Sequence, residues 1–187
     1  MGTIKTTNIE TITGSGTLTL GQSGETVTIP SGVTITNNGT QTGFGESGPA
    51  FYAKATEGDT SFTSSTVVKI PFTQEQFDTD NCYDPTTNYR FTPTKAGYYL
   101  ITVTAEIRSN TDTSGQANVY LYKNGSSIAV NMLKADDPLN IELTHIVSAN
   151  GSSDYFEGYA FSNMISPFFN ETTDGDCRFE GVWLRGL

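Results

Sequence analysis

Along residues 97–107 apolar and polar positions alternate strictly: Tyr99, Ile101, Val103, Ala105 and Ile107 fall on one face, Thr102, Thr104 and Glu106 on the other. A period of two is the signature of a strand with one buried face. The same reading predicts strands over 50–55, 66–72, 89–91, 117–123, 127–133, 140–148, 155–163 and 178–184. Lys123-Asn124-Gly125-Ser126 predicts a hairpin turn, because Asn and Gly tolerate positive φ. No stretch has helical periodicity, so the chain is expected to be all-β. Strands at this spacing, separated by turn residues, fit a sandwich.

Before residue 46 the pattern changes. Residues 17–20, 26–29 and 33–36 alternate Thr with Leu, Val or Ile, and each run stops at turn residues: Gly21-Gln22-Ser23-Gly24, Pro30-Ser31-Gly32 and Asn37-Asn38-Gly39. Four-residue rungs of this kind bury too little apolar area singly. They gain stability by stacking on one another or on symmetry mates. The other reading is a flexible Gly/Thr linker. Composition marks the same join. Residues 1–45 hold 13 Thr, one aromatic (Phe44) and three charged residues (Lys5, Glu10, Glu25), and the remaining 20 aromatics lie in 46–187. The expectation is a Thr-rich β stalk or anchoring segment (1–45) joined to a head domain (46–187). The head alone is long enough for a core.

The formal net charge of -10 argues against a nucleic-acid partner, because phosphate neutralisation needs clustered Lys and Arg. No run reaches transmembrane length and the first residues lack an apolar leader segment, so no membrane association is expected.

Four motifs then resemble one family. Tyr83-Asp84, followed by Phe91-Thr92-Pro93-Thr94 and Gly97-Tyr98-Tyr99, resembles the signature of the globular head of the complement first-component recognition subunit. Pro49-Ala50-Phe51-Tyr52-Ala53 is similar to that family's first strand, Leu121-Tyr122-Lys123-Asn124-Gly125 to its mid-domain hairpin, and Phe179-Glu180-Gly181-Val182-Trp183-Leu184 to its closing strand. The resemblance implies a tumour-necrosis-factor-like jelly roll, a ten-stranded β-sandwich that assembles as a homotrimer. The sequence has no Gly-x-y repeat, so a collagen stalk is excluded. The Thr-rich segment instead resembles N-terminal regions of bacteriophage virion proteins. Together the two resemblances imply a non-enzymatic virion structural protein: a head decoration, fibre or tail appendage, assembled in the host cytoplasm and displayed on the virion surface. It would be anchored to other virion proteins through residues 1–45, with a host-surface glycan or protein as a further partner. The alternative is a secreted or surface carbohydrate- or protein-binding module of the complement-like family.

Candidate chemistry is sparse. The single histidine, His145, lies on an alternating strand and reads as a packed or interface residue, and no nucleophile motif accompanies it. No catalytic residue or cofactor is expected. Asp78, Asp80 and Asp84 in one loop, and Asp174 and Asp176 near the last strand, are hard oxygen donors that fit either a calcium site or a solvated acidic loop. Cys82 and Cys177 flank these clusters and read either as two thiols or as one disulfide between loops at the same end of the sandwich. Tyr120, Tyr122, Tyr155, Tyr159 and Phe161 alternate with core positions, and so face away from the core. A subunit interface and a glycan-stacking platform are both open for them.

Overall fold

The computed structural model describes residues 17, 19–34, 36, 38, 47–171 and 177–187. The chain divides into two units, residues 1–44 and 45–187. In the first, the predicted turns are present: the Glu25 amide donates to the Gln22 carbonyl (3.0 Å) and the Val33 amide to the Pro30 carbonyl (3.2 Å). Gly24 and Gly32 take the positive φ values of 87° and 84° that these turns need. The expected rung 26–29 forms no ladder within the single chain. Its apolar side chains are uncovered, with Val27 55% and Ile29 46% exposed. A strand without a partner leaves its amides and carbonyls to water.

The second unit, the head, is an all-β sandwich of thirteen strands among the described residues. They are β1 (Ala50–Lys54), β2 (Gly58–Ser61), β3 (Val68–Lys69), β4 (Gln74–Asp78), β5 (Tyr83–Asp84), β6 (Arg90–Phe91), β7 (Ala96–Ser109), β8 (Ser114–Lys123), β9 (Ser126–Asp136), β10 (Leu139–Asn150), β11 (Phe156–Ser162), β12 (Pro167–Glu171) and β13 (Arg178–Arg185). Every pairing is antiparallel. The first sheet centres on β7. Strand β10 lies along one edge of β7, and β13 and β12 share the other edge. Strands β1 and β4 continue outward from β13, and β2 from β12. The second sheet runs β5-β6-β11-β8-β9, with β3 also on β11.

The alternation in β7 is obeyed: Tyr99, Ile101, Val103, Ala105 and Ile107 are all fully buried. Five aromatics of the family resemblance, Phe51, Tyr83, Phe91, Tyr99 and Phe179, turn out to be core. Phe51 stacks on Phe91 (ring centroids 4.3 Å apart) and on Tyr83 (5.1 Å), and meets Phe179 edge-on (4.9 Å). Two buried phenols reach backbone acceptors, Tyr83 donating to the Phe72 carbonyl (2.8 Å) and Tyr99 to the Lys95 carbonyl (2.6 Å). Burial pushes the Tyr99 phenol up to about 12.

Four strands were not expected, and each lacks the signal that periodicity needs. Strand β2 (Gly-Asp-Thr-Ser) has no large apolar residue, β4 has only the outward Phe77, β5 is two residues long, and β12 opens on Pro167. The strand expected over 66–72 shrinks to two residues, because Pro71 closes a tight turn in which the Phe72 amide donates to the Ile70 carbonyl (3.1 Å).

The start of the head is pinned by the only tryptophan. The Trp183 indole lies under the Lys95 ammonium (4.0 Å to the ring centroid) and donates to the Ala96 carbonyl (3.3 Å), and Lys95 Nζ donates to the Ser47 carbonyl (2.6 Å). A Cβ at either Gly48 or Gly97 would collide with the indole, so both positions need glycine for this close approach.

Candidate functional site

The inner faces of both sheets are consumed by the core, so any recognition surface has to come from their outer faces, their edges or the loops. On the first sheet, register aligns the outward residues of β10, β7, β13 and β1 in rows. Ile146, Leu100, Val182 and Ala50 form one row; Thr144, Thr102, Glu180 and Tyr52 form the next; Glu142, Thr104, Arg178 and Lys54 form the third. The first row is apolar, and Ile146 (57%) and Val182 (42%) are well exposed. Phe77, the partner of Tyr52 at the end of the second row, is exposed as well (49%). Ala50, Phe77, Leu100 and Val182, with Thr102 and Glu180 behind, line an open depression of about 290 Å³. The third row is charged, with the Arg178 guanidinium 2.9 Å from Glu142 Oε2 and 3.5 Å from Glu180 Oε1.

The outer face of the second sheet carries the predicted aromatics. Tyr122 stacks on Tyr159 (4.2 Å) and meets Tyr120 edge-on (6.2 Å). Phe161 lies opposite Asn118 on β8, and Tyr155 sits under the Arg90 guanidinium (4.5 Å) at the end of the face. All five are half-buried. Burial first, then the adjacent Glu157 carboxylate, pushes the Tyr159 phenol up to about 12. On the neighbouring edge strand β9, Ile128 (40%), Val130 (52%) and Met132 (59%) form an exposed apolar rail.

The disulfide is not formed. Cys82 and Cys177 are each buried and are not bonded to one another. Topology separates them. Cys82 sits near Asp78, which pairs with Phe51 at the start of β1, and its thiol is 3.6 Å from Thr94 Oγ1. The Cys177 carbonyl instead accepts from the Ala55 amide just beyond the end of β1, and its thiol bonds the Glu106 and Asn170 carbonyls. The two cysteines therefore belong to opposite ends of β1, not to loops at one end.

Asp174 and Asp176 lie outside the described residues. In the other cluster the carboxylates serve their own loop. Asp78 accepts from the Tyr83 amide (2.6 Å) and the Asp80 amide (3.2 Å), and Asp80 accepts from the Thr79 hydroxyl (2.9 Å). Asp84 accepts from the amides of Thr86, Thr87 and Asn88 (3.0, 3.0 and 3.1 Å). Among the described residues no group of three or more His, Cys, Asp or Glu side chains gathers as metal ligands would. His145 is exposed on the edge strand β10, while its neighbours Leu143 and Val147, in the same phase, are buried. It is therefore not packed in the core.

The backbone bonds to Asp84 hold its carboxyl well below the usual carboxylate range. A depressed folded-state pKa contributes stability above the unfolded value of about 4, and that contribution disappears as pH falls through the folded value. Asp84→Ala is therefore expected to lower Tm at pH 7, and the gap from the unsubstituted chain should narrow as pH drops below about 4. Thermal melts across pH 2–7 measure it, and a gap independent of pH would contradict this role.

The head's architecture has counterparts among solved structures. The globular domain of zebrafish complement 1qA protein superposes with a TM-score of 0.54 at 14% identity, covering 74% of this chain and 99% of that one. Murine APRIL at pH 5.0 superposes with a TM-score of 0.52 at 10% identity, covering 73% of this chain and 99% of that one. The head has the complement-1q and tumour-necrosis-factor-like jelly-roll fold. At these identities the likeness concerns the fold alone. No family model and no curated protein sequence matches the chain.

Sequence reasoning missed the apolar row on the first sheet. Leu100 sits inside the nearly continuous apolar run Tyr98-Tyr99-Leu100-Ile101, and its alignment with Ile146 and Val182 exists only once register is known.

Proposed function

We propose that the chain is a non-enzymatic display module. Its jelly-roll heads assemble as a homotrimer, and residues 1–45 anchor them to other proteins of a virion surface. The observation that carries this reading is the row Ile146, Leu100 and Val182, with Phe77 beside it across an open depression, on the outer face of a sheet whose other face is already a filled core. An apolar row of this kind, bordered by an open depression, is a surface for a partner. The β9 rail of Ile128, Val130 and Met132 is a second, non-equivalent apolar surface. Two different apolar surfaces brought together between copies make a heterologous contact, which gives a closed ring when its rotation closes at three copies. The uncovered Leu20, Val27, Ile29 and Val33 of the first unit favour the same conclusion, since a stalk shared by several copies supplies the missing ladder partners. The virion setting rests on the Thr-rich rungs and their turn punctuation.

Sedimentation equilibrium of the full chain tests the assembly. The expected mass is three times the 20.2 kDa of the chain, unchanged over a wide concentration range. A 20.2 kDa species throughout would refute the trimer. Retention of the protein on intact particles tests the virion setting separately.

A further inference from the structure

The loop between β11 and β12 carries an isoleucine that is both exposed and firmly held. Met164 and Ile165 are adjacent and face opposite ways: Met164 is 1% exposed, Ile165 57%. Met164 reaches inward over Gly115, where a Cβ would stand 2.3 Å from its Cγ. Ile165 is turned outward and fixed through its own backbone. Its amide donates to Asp112 Oδ2 (2.5 Å), and its carbonyl accepts from the Ser109 hydroxyl (2.6 Å). The holders are themselves held. Ser109 Oγ accepts from the Thr111 and Asp112 amides (3.1 and 3.0 Å). The Ser109 amide donates to Asp137 Oδ1 (3.1 Å), and the Asp137 amide to the Thr113 carbonyl (2.9 Å). On the other flank Asn163 Oδ1 accepts from the Gln116 amide (2.8 Å). The chain then enters β12 through Ser166 at φ 49°, a left-handed backbone that a residue with a Cβ adopts only under strain. A single exposed apolar residue needs no explanation in itself. One seated by the β7–β8 loop and followed by a strained residue is preorganised for contact.

We propose that loop 163–166 is a docking knob for a protein partner that offers an apolar pocket bordered by lysine or arginine. Ile165 supplies the apolar centre, and its β-branched side chain loses little freedom when it is enclosed. The surroundings set the charge of the partner. Asp112 lies on the Ile165 amide, Asp137 lies one bond further on Ser109, and Asp136 is exposed opposite Ser114. Arg108, the residue before Ser109, is engaged by Glu106 (2.6 Å). With a formal net charge of -10 on the chain, the field around the knob attracts a basic rim and opposes an acidic one. The same field opposes an anionic lipid surface, and one isoleucine brings little apolar area to a bilayer. Position suits display. The chain enters the head beside Lys95 and Ala96, at the start of β7, whereas Ser109 ends that strand. Fourteen extended residues place the knob on the order of 40 Å from the entry point. That use rests on the anchoring proposed for residues 1–45, and binding at the knob does not. Several copies would raise a weak single-site affinity to useful avidity.

A library of random dodecapeptides is selected on the immobilised full chain, and the recovered peptides are titrated in solution. They are expected to carry lysine or arginine beside an aliphatic or aromatic residue. Ile165→Ser should weaken their binding by about tenfold or more. Asp136→Asn should weaken it less and flatten its dependence on salt. Ile128→Ser, on the β9 rail, should leave it unchanged. In the unsubstituted chain a recovered peptide should shift the Ile165 methyl resonances, a readout that needs no variant to fold. The Ile165 amide should also exchange slowly with solvent although its side chain lies in water, because Asp112 holds it. Recovery of no peptide, or of peptides without that bias, would overturn the proposal. So would binding that survives Ile165→Ser, or an Ile165 amide that exchanges as fast as an open loop. Retention on phosphatidylcholine vesicles, with or without phosphatidylglycerol, that is lost in Ile165→Ser would assign the knob to lipid and overturn it as well. A chain that sediments as a monomer and still binds the peptides through Ile165 would refute the trimer and leave the knob standing.

Discussion

Phe51→Ala is expected to cost the head about 3–5 kcal/mol of folding stability, the range for truncating a buried aromatic to alanine. Phe51 is 1% exposed and its ring contacts all three of Phe91, Tyr83 and Phe179. It bridges β1 in the first sheet to β5 and β6 in the second, so its loss opens a cavity between the layers. The site cannot close easily, because Gly181 already sits against the ring: a Cβ there would stand 2.8 Å from Phe51 Cε1. Small domains have only about 5–15 kcal/mol in total, so the loss is a large share and should lower Tm by roughly 10 °C or more. Phe51→Leu keeps most of the volume and should cost much less. Urea titration followed by Trp183 fluorescence and by circular dichroism measures both variants. A loss below about 1 kcal/mol for Phe51→Ala would mean that the stack does not hold the layers together.

The sheets were legible where one strand states its own two faces. Strand β7 does so over its long alternating stretch, and β8, β10 and β13 follow within a few residues at their ends. The family motifs were legible for a related reason. Tyr83, Phe91, Tyr99, Phe51 and Phe179 form one chain of ring contacts across the layers, so each is constrained by its neighbours in it. The aromatics of the second sheet were legible as outward-facing, because phase within β8 and β11 is local information. The stacking of Tyr122 on Tyr159 was not, since that depends on which strands are neighbours. Of the two readings of the cysteines the pair of thiols stands, and the choice was not legible for the same reason. Two residues 95 positions apart in sequence carry no mark of which end of the sandwich each occupies, and only the path of β1 assigns them. Short strands such as β2 and β5 exist because longer neighbours offer open edges, and their own residues do not require it.

Replacing Leu100 and Val182 together with aspartate is expected to turn the assembly into monomers while leaving the head folded. The two side chains are adjacent across β7 and β13 on the outer face, and Val182 is 42% exposed in the single chain. In a monomer a carboxylate at position 182 remains in water, where substitutions away from special contacts usually change stability by less than about 0.5 kcal/mol, whereas Leu100 is half-buried and its replacement costs the head more without emptying the core on the other face. In a closed ring both new carboxylates would be taken out of water without a counter-charge, and each unpaired buried charge costs several kcal/mol. A ring multiplies that cost, because every protomer presents the same substituted face to a neighbour. The charged row does not rescue it: Arg178 is already engaged by Glu142 and Glu180. Two readouts separate the outcomes. Mass should fall from three chains to one, and the dependence of Tm on protein concentration, which association imposes by mass action, should vanish. Ser152→Asp, on the exposed turn beyond β10, adds a carboxylate away from this face and should change neither. A doubly substituted protein that still sediments as a trimer would show that the copies meet through another surface, with the β9 rail of Ile128, Val130 and Met132 the next to substitute.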